Sequence, residues 1–140
     1  MGQTPLMNAA WSGKKNVFDF LVSKGADITL TDDGNDNILH LACKGGNKAL
    51  VEHLLPMCDI NCRGHKGWTP VMKGASSGNK DTFDLLLLNG ANPSLSGDDN
   101  DTLLHAASRG GNIDIVRHVT GDFDINTRGE NDASCVWRSH

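Results

Sequence analysis

No stretch of this sequence approaches the ~20 consecutive apolar residues that a helix needs to cross a bilayer. The opening segment, Met1–Asn16, is polar and interrupted by Pro5 and Gly13. It does not read as a signal peptide. An excess of positive charge is also missing. Thirteen Lys and Arg stand against seventeen Asp and Glu, for a net charge of −4 and a pI near 5.8. That balance argues against nucleic acid and against an anionic membrane as main partners. Cysteine is scarce: four residues, unevenly spaced. They fit reduced thiols in an intracellular protein, cytoplasmic or nuclear, better than a disulfide framework.

What the sequence does contain is a repeat. Thr4-Pro5-Leu6-Met7, Asn37-Ile38-Leu39-His40, Thr69-Pro70-Val71-Met72 and Thr102-Leu103-Leu104-His105 follow one another at steps of 33, 32 and 33 residues. A recurring unit of this length cannot bury a core alone and must stack on its neighbours. In the first unit Thr4 caps a helix and Pro5 sits where the first helical residue needs no donor. Leu6, Ala9 and Ala10 share a face, and Gly13 ends the helix. A second helix carries Val17, Phe18, Leu21 and Val22 and closes at Gly25. The segment Asp27 to Asp36 is turn chemistry. First helices carry small residues (Ala9, Ala42, Gly74, Ala107) and second helices large ones (Leu50, Leu54, Phe83, Leu86, Ile115). Close approach on one side and splaying on the other predict a curved array, concave on the short-helix side.

The pattern Gly-x-Thr-Pro-Leu-x-x-Ala-Ala-x-x-Gly, followed by Leu-Val/Leu-x-x-Gly-Ala-Asp/Asn, resembles the ankyrin repeat. It is clearest in Gly2–Asp27 and Gly67–Asn92 and runs through essentially the whole chain. The resemblance implies an all-α ankyrin-repeat solenoid of helix-turn-helix units with short β-hairpin-like finger loops. Residues 1–140 then form one domain, with repeats at about 1–31, 32–63, 64–96 and 97–128 and a partial fifth at 129–140. Met7 and Met72 replace the family's usual His, which survives as His40 and His105, where it is expected to hydrogen-bond within the stack. Gly74 stands at an Ala position, at a cost of ~1 kcal/mol.

Units one and three match at a shift of 65, as do units two and four, down to Asp59-Ile60-Asn61 against Asp124-Ile125-Asn126. This reads as a duplicated double repeat. At the same shift Thr69 meets Ser134 and Val71 meets Val136, so Ser134–His140 reads as the opening of a fifth unit. The chain is therefore expected to be a segment of a longer array, with Val136 docking on unit four and Arg138–His140 fraying.

Several chemical motifs read as structural. Cys58, Cys62 and His65 make an incomplete zinc set without a fourth ligand. The acidic run Asp32–Asn37 lacks the glycine and the twelfth-position glutamate of a calcium loop, so no metal or other cofactor is expected. His40 and Cys43 lack a third orienting group and an oxyanion donor. Gly45-Gly46 and Gly110-Gly111 end helices and do not cradle phosphate. Asn61 and Asn126 resemble asparagines that are hydroxylated in some ankyrin proteins, but read first as backbone-bonding turn residues. His53 and His118 recur at one helical site and read as partly exposed packing.

The functional reading follows from the family. The resemblance implies a non-catalytic module that binds another protein through its fingers and short-helix face. The expected contact row is Gln3, Trp11, Asp36, Lys44, Trp68, Ser76, Asp101 and Arg109. The finger tips add an alternating charge order: Asp32, Asp33 and Asp36 on the first, Arg63, His65 and Lys66 on the second, Asp98, Asp99 and Asp101 on the third. Trp68 is expected at a finger tip, outside the stack, where its removal would weaken binding and leave stability alone. A structural spacer and, more remotely, an enzyme are the other readings the residues leave open.

Overall fold

Each unit begins where a polar side chain meets the unsatisfied N–H groups of a helix start. Thr4, Asn37 and Thr102 have extended backbones, and their side-chain oxygens accept from the N–H of Met7, His40 and His105 at 3.2, 3.0 and 3.4 Å. The residue three positions on reciprocates. Nδ1 of His40 accepts the Asn37 N–H at 3.1 Å, and Nδ1 of His105 the Thr102 N–H at 2.9 Å. The Met7 sulfur takes the Thr4 N–H at 3.4 Å. These reciprocal boxes satisfy two donors each. Thr69 departs from the pattern: its hydroxyl is buried without a partner, and Pro70 at the first helical position sets the start of its helix.

The computed structural model describes residues 2–121. They form α1 (Pro5–Ser12), α2 (Lys15–Ser23), α3 (Ile38–Gly45), α4 (Lys48–Leu54), α5 (Pro70–Ser76), α6 (Lys80–Leu88), α7 (Leu103–Gly110) and α8 (Ile113–Thr120). Among the described residues there are no strands. The fingers are single turns, each closed by a bond from the N–H of Asp32, Gly64 or Gly97 to the carbonyl four residues on, with shorter turn bonds inside it such as Asn35 N–H to the Asp32 carbonyl. The hairpin-like fingers thus exist as turns without a ladder. The expectations for Asn126 and for the partial fifth unit, with Ser134–His140, lie outside the described residues.

The helices pack in pairs, α1 on α2 through α7 on α8, and the pairs stack. First helices pack on one another much more extensively than second helices do. The small column Ala9, Ala42, Gly74 and Ala107 permits this. Gly45 and Gly110 carry it to backbone contact: a Cβ on either would lie 2.1–2.2 Å from the carbonyl oxygen of Trp11 or Ala75. Asparagine clamps secure the same seam. The Asn47 amide donates to the carbonyls of Ala10 and Trp11 at 3.1 and 2.9 Å, Asn79 to Gly46 at 3.2 Å, and Asn112 to Gly78 at 2.9 Å. The core between the layers is filled by Leu6, Phe18, Leu39, Leu54, Phe83, Leu86 and Ile115.

Two smaller expectations resolve in this frame. His40 Nε2 lies 3.1 Å from the carbonyl of Cys62, so this histidine does bond across the stack. His53 and His118 meet Phe18 and Phe83 edge-on, with ring centroids 6.3 and 5.5 Å apart.

Candidate functional site

The exposed side of the first helices carries one residue per unit in register: Trp11, Lys44, Ser76 and Arg109. With Lys66, Trp68, Lys73 and the tip residue His65 they line a groove of about 470 Å³. Trp11 is 51 % exposed, and Lys44, Lys66 and Arg109 are also exposed. Among the described residues none of these three cations has a carboxylate partner within ion-pair distance. A chain of net negative charge therefore presents a positive groove, and no carboxylate lines it.

Trp68 is not where the sequence reading puts it. It is only 5 % exposed and belongs to the core cluster. Its indole N–H donates to Asp101 Oδ2 at 3.4 Å. Lys73 Nζ lies 5.6 Å and Arg109 Cζ 5.3 Å from the ring centroid, within cation–π range. Gly97 allows the close fit, since a Cβ there would stand 2.7 Å from the indole. The ring is thus a platform that holds two cations at the groove, with little face left for a partner.

Asp36 is corrected in the same way. It is 6 % exposed rather than a free tip charge. Its carboxylate accepts the His65 N–H at 2.8 Å and pairs with Lys73 Nζ at 3.2 Å. Gly64 makes room, with only 2.2 Å between a Cβ placed there and Asp36 Oδ1. Asp36, Trp68 and Asp101 share one register position, just before a helix cap. In the described units that position reaches toward the neighbouring finger.

The remaining predicted residues divide. Asp33, His65, Lys66, Asp98 and Asp99 are exposed, while Ser76 and Asp101 are half-buried. Arg63 is exposed, but its guanidinium is committed: Nη1 donates to the Gly67 carbonyl at 3.1 Å and also to the Ser96 carbonyl of the next finger. Gln3 donates to Asp32 at 3.3 Å. Burial pushes the Asp32 carboxyl up, but the N–H groups of Asp36 and Gly34 and the Gln3 amide outweigh it and hold the group below the ordinary carboxylate value. Lys73, which the sequence reading missed, is the organising cation. The available signal was a lysine at an inward position where units two and four have Leu41 and Ala106.

The thiols and the imidazole are not arranged for nucleophilic chemistry. Cys43 is fully buried, and desolvation pushes its thiol far above the ordinary range. Burial likewise raises Cys58 to about 11, and raises Cys62, which lies 3.8 Å from His40 Nε2. Burial holds the His40 imidazole below its ordinary value, against the opposing pull of Asp36. Among the described residues no three metal-ligating side chains gather. Asn61 Oδ1 accepts the Asn92 N–H at 2.8 Å, a backbone-bonding role that ties one turn to the next.

Stacked helix pairs with reciprocal caps, turn fingers and an exposed short-helix face define a repeat scaffold. A family profile described as "Ankyrin repeats (3 copies)" matches residues 33–129, and another, "Ankyrin repeats (many copies)", matches residues 6–55. The chain belongs to the ankyrin repeat family. It is 34 % identical to palmitoyltransferase AKR1 of Saccharomyces cerevisiae, over 85 % of this chain and 21 % of that protein. It is 33 % identical to the ankyrin repeat and KH domain-containing protein mask-1 of Caenorhabditis elegans, over 84 % of this chain and 5 % of that one. It is 34 % identical to the putative ankyrin repeat protein FPV031 of fowlpox virus, over 82 % and 36 % respectively. The chain thus spans about a third or less of the length of each of these relatives. No helix among the described residues is long and apolar enough to cross a membrane.

Proposed function

We propose that this chain is a non-catalytic protein-interaction module and that its short-helix groove is the surface that engages a partner protein. Ankyrin repeats are generally protein-protein interaction modules. The observation that carries the reading for this chain is the row Trp11, Lys44, Ser76 and Arg109, continuous with Lys66. An exposed tryptophan leaves apolar surface in water, Trp and Arg are enriched where partners bind, and cations without a carboxylate partner steer and orient a complementary surface. A non-catalytic role is supported by the state of the site chemistry. The His40 ring is committed on both nitrogens, and Cys43 is a desolvated thiol rather than a nucleophile. The palmitoyltransferase similarity concerns only 21 % of that relative, so its activity is not transferred to this chain.

The test compares a groove variant, Lys44→Glu with Arg109→Glu, against a back-face control, Lys24→Glu with Lys48→Glu. All four sites are exposed and outside ion pairs. Each variant gives up one cation–π contact, Arg109 on Trp68 or Lys24 on Phe20, so both should unfold within about 1 kcal/mol of the parent. Proteins retained from lysate by the parent and by the control, but lost on the groove variant, support the proposal. Equal retention by all three favours a spacer that has no dedicated partner on this face.

A further inference from the structure

The groove has a period, and the period constrains what fits it. Trp11, Lys44, Ser76 and Arg109 occupy the same position on four successive, directly stacked helices. Neighbouring helix axes are ~8–10 Å apart, and an extended peptide advances ~3.3 Å per residue. About three peptide residues therefore correspond to one unit. The two outward cations, Lys44 and Arg109, are two units apart and face peptide positions about six residues apart. Trp11 stands one unit beyond Lys44, about three residues further along.

We propose that the groove takes an extended acidic segment of a partner protein, with carboxylates about six positions apart on Lys44 and Arg109 and an apolar side chain on Trp11. This rests on the reading of the groove as the partner surface. Charge complementarity selects the occupant. The cations that line the groove have no carboxylate among the lining residues, and only Lys73 is neutralised, from beneath, by Asp36. Two points of the groove are also preorganised, the Arg109 guanidinium and the Trp11 backbone. The Trp68 ring holds Arg109, and the Asn47 clamp fixes the carbonyl of Trp11, so ordering costs little on binding. A single-stranded nucleic acid is the competing polyanion. It needs a series of open aromatic faces for base stacking, whereas Trp68 is buried, Trp11 is the one exposed indole among the described residues that line the groove, and the chain as a whole is negative. Carboxylates, spaced wider than phosphates and carried on a strand with apolar side chains, match the groove better.

The experiment selects random displayed peptides of about twelve residues on the full chain at about 50 mM salt, then rescores them on three variants. Enrichment of acidic residues about six apart, flanked by an aromatic or aliphatic residue, is expected. Affinity should fall about tenfold or more on Lys44→Glu/Arg109→Glu, fall severalfold on Trp11→Ala, and hold on Lys24→Glu/Lys48→Glu. Enriched peptides without net negative charge that are nonetheless lost on the groove variants would overturn the acidic assignment and leave the groove reading standing. No enrichment, or binding indifferent to the groove variants, would overturn both. Displacement of the peptides by an oligo-dT of similar length at equal concentration would overturn the acidic-peptide assignment in favour of nucleic acid.

Discussion

Replacing Trp68 separates the two roles that one side chain can have on this surface. As a projecting hot spot, its truncation would cost affinity and leave the fold intact. As a buried platform, its truncation should cost stability. The indole is 5 % exposed, donates to Asp101 at 3.4 Å and fills the space over Gly97. Large-to-small changes of buried aromatics cost about 3–5 kcal/mol, and the lost indole bond falls within that range. Trp68→Ala should therefore lower stability by about 3 kcal/mol or more, which for a chain of this size is roughly 10 °C in melting temperature. Trp68→Phe keeps most of the ring and loses the N–H donor, for about 1 kcal/mol. Urea unfolding followed by circular dichroism measures both. The transition midpoint should fall while its slope is unchanged. A Trp68→Ala protein within about 0.5 kcal/mol of the parent would refute the placement of the ring.

Three further outcomes follow from the same structure. Gly74→Ala should stabilise by about 1 kcal/mol, because a Cβ there meets only Leu86, Thr82 and Phe83 atoms at 3.5–3.8 Å and the other three units carry Ala in that column; a lower melting temperature would show hidden crowding. Asp36→Ala strands the Lys73 ammonium, 8 % exposed, and should cost about 3–5 kcal/mol, much of it recovered by adding Lys73→Met; a double-mutant cycle in urea without that recovery would contradict the pairing. Burial lowers the His40 pKa, so the unfolded chain binds this proton first as pH falls. The His40 contribution is then complete above its unfolded pKa of about 6.5 and is lost as pH drops from there toward the folded value. His40→Gln, which keeps an acceptor for the Asn37 N–H, should flatten this part of a stability–pH profile, and an unchanged slope would sink the assignment.

The architecture was legible because each unit states it locally. Thr4, Asn37 and Thr102 announce helix starts, Gly13, Gly46 and Gly111 adopt left-handed backbone at the helix ends, and the 33-residue step sets the stacking. The exposed column Trp11, Lys44, Ser76 and Arg109 was legible for the same reason, since helical register alone places it. The column before each cap was not. Its backbone is extended, so a side chain there reaches along the stack toward the next finger. Whether it ends in solvent depends on what the neighbour offers. Asp36 finds the His65 N–H and Lys73, and Trp68 finds Asp101 and two cations. Apart from Lys73 beneath Trp68, those partners lie 29 to 41 residues away, in the next repeat, and which of them is engaged depends on the residue type the neighbour carries. The alternating tip charges were misjudged in part on the same ground, because Asp36 and Arg63 are spent on neighbouring fingers.

A partner bound in the groove must touch the first helices and leave the second helices untouched. The decisive measurement is a titration of the ¹⁵N-labelled protein with an acidic peptide carrying one aromatic residue, followed through amide and indole shifts. The proposed groove predicts the largest changes at the Trp11 indole N–H and at the amides of Lys44, Ser76 and Arg109, with Lys24, Leu88 and Asn89 on the opposite side unmoved. Changes confined to the side of the second helices, or none at the Trp11 indole, would contradict it.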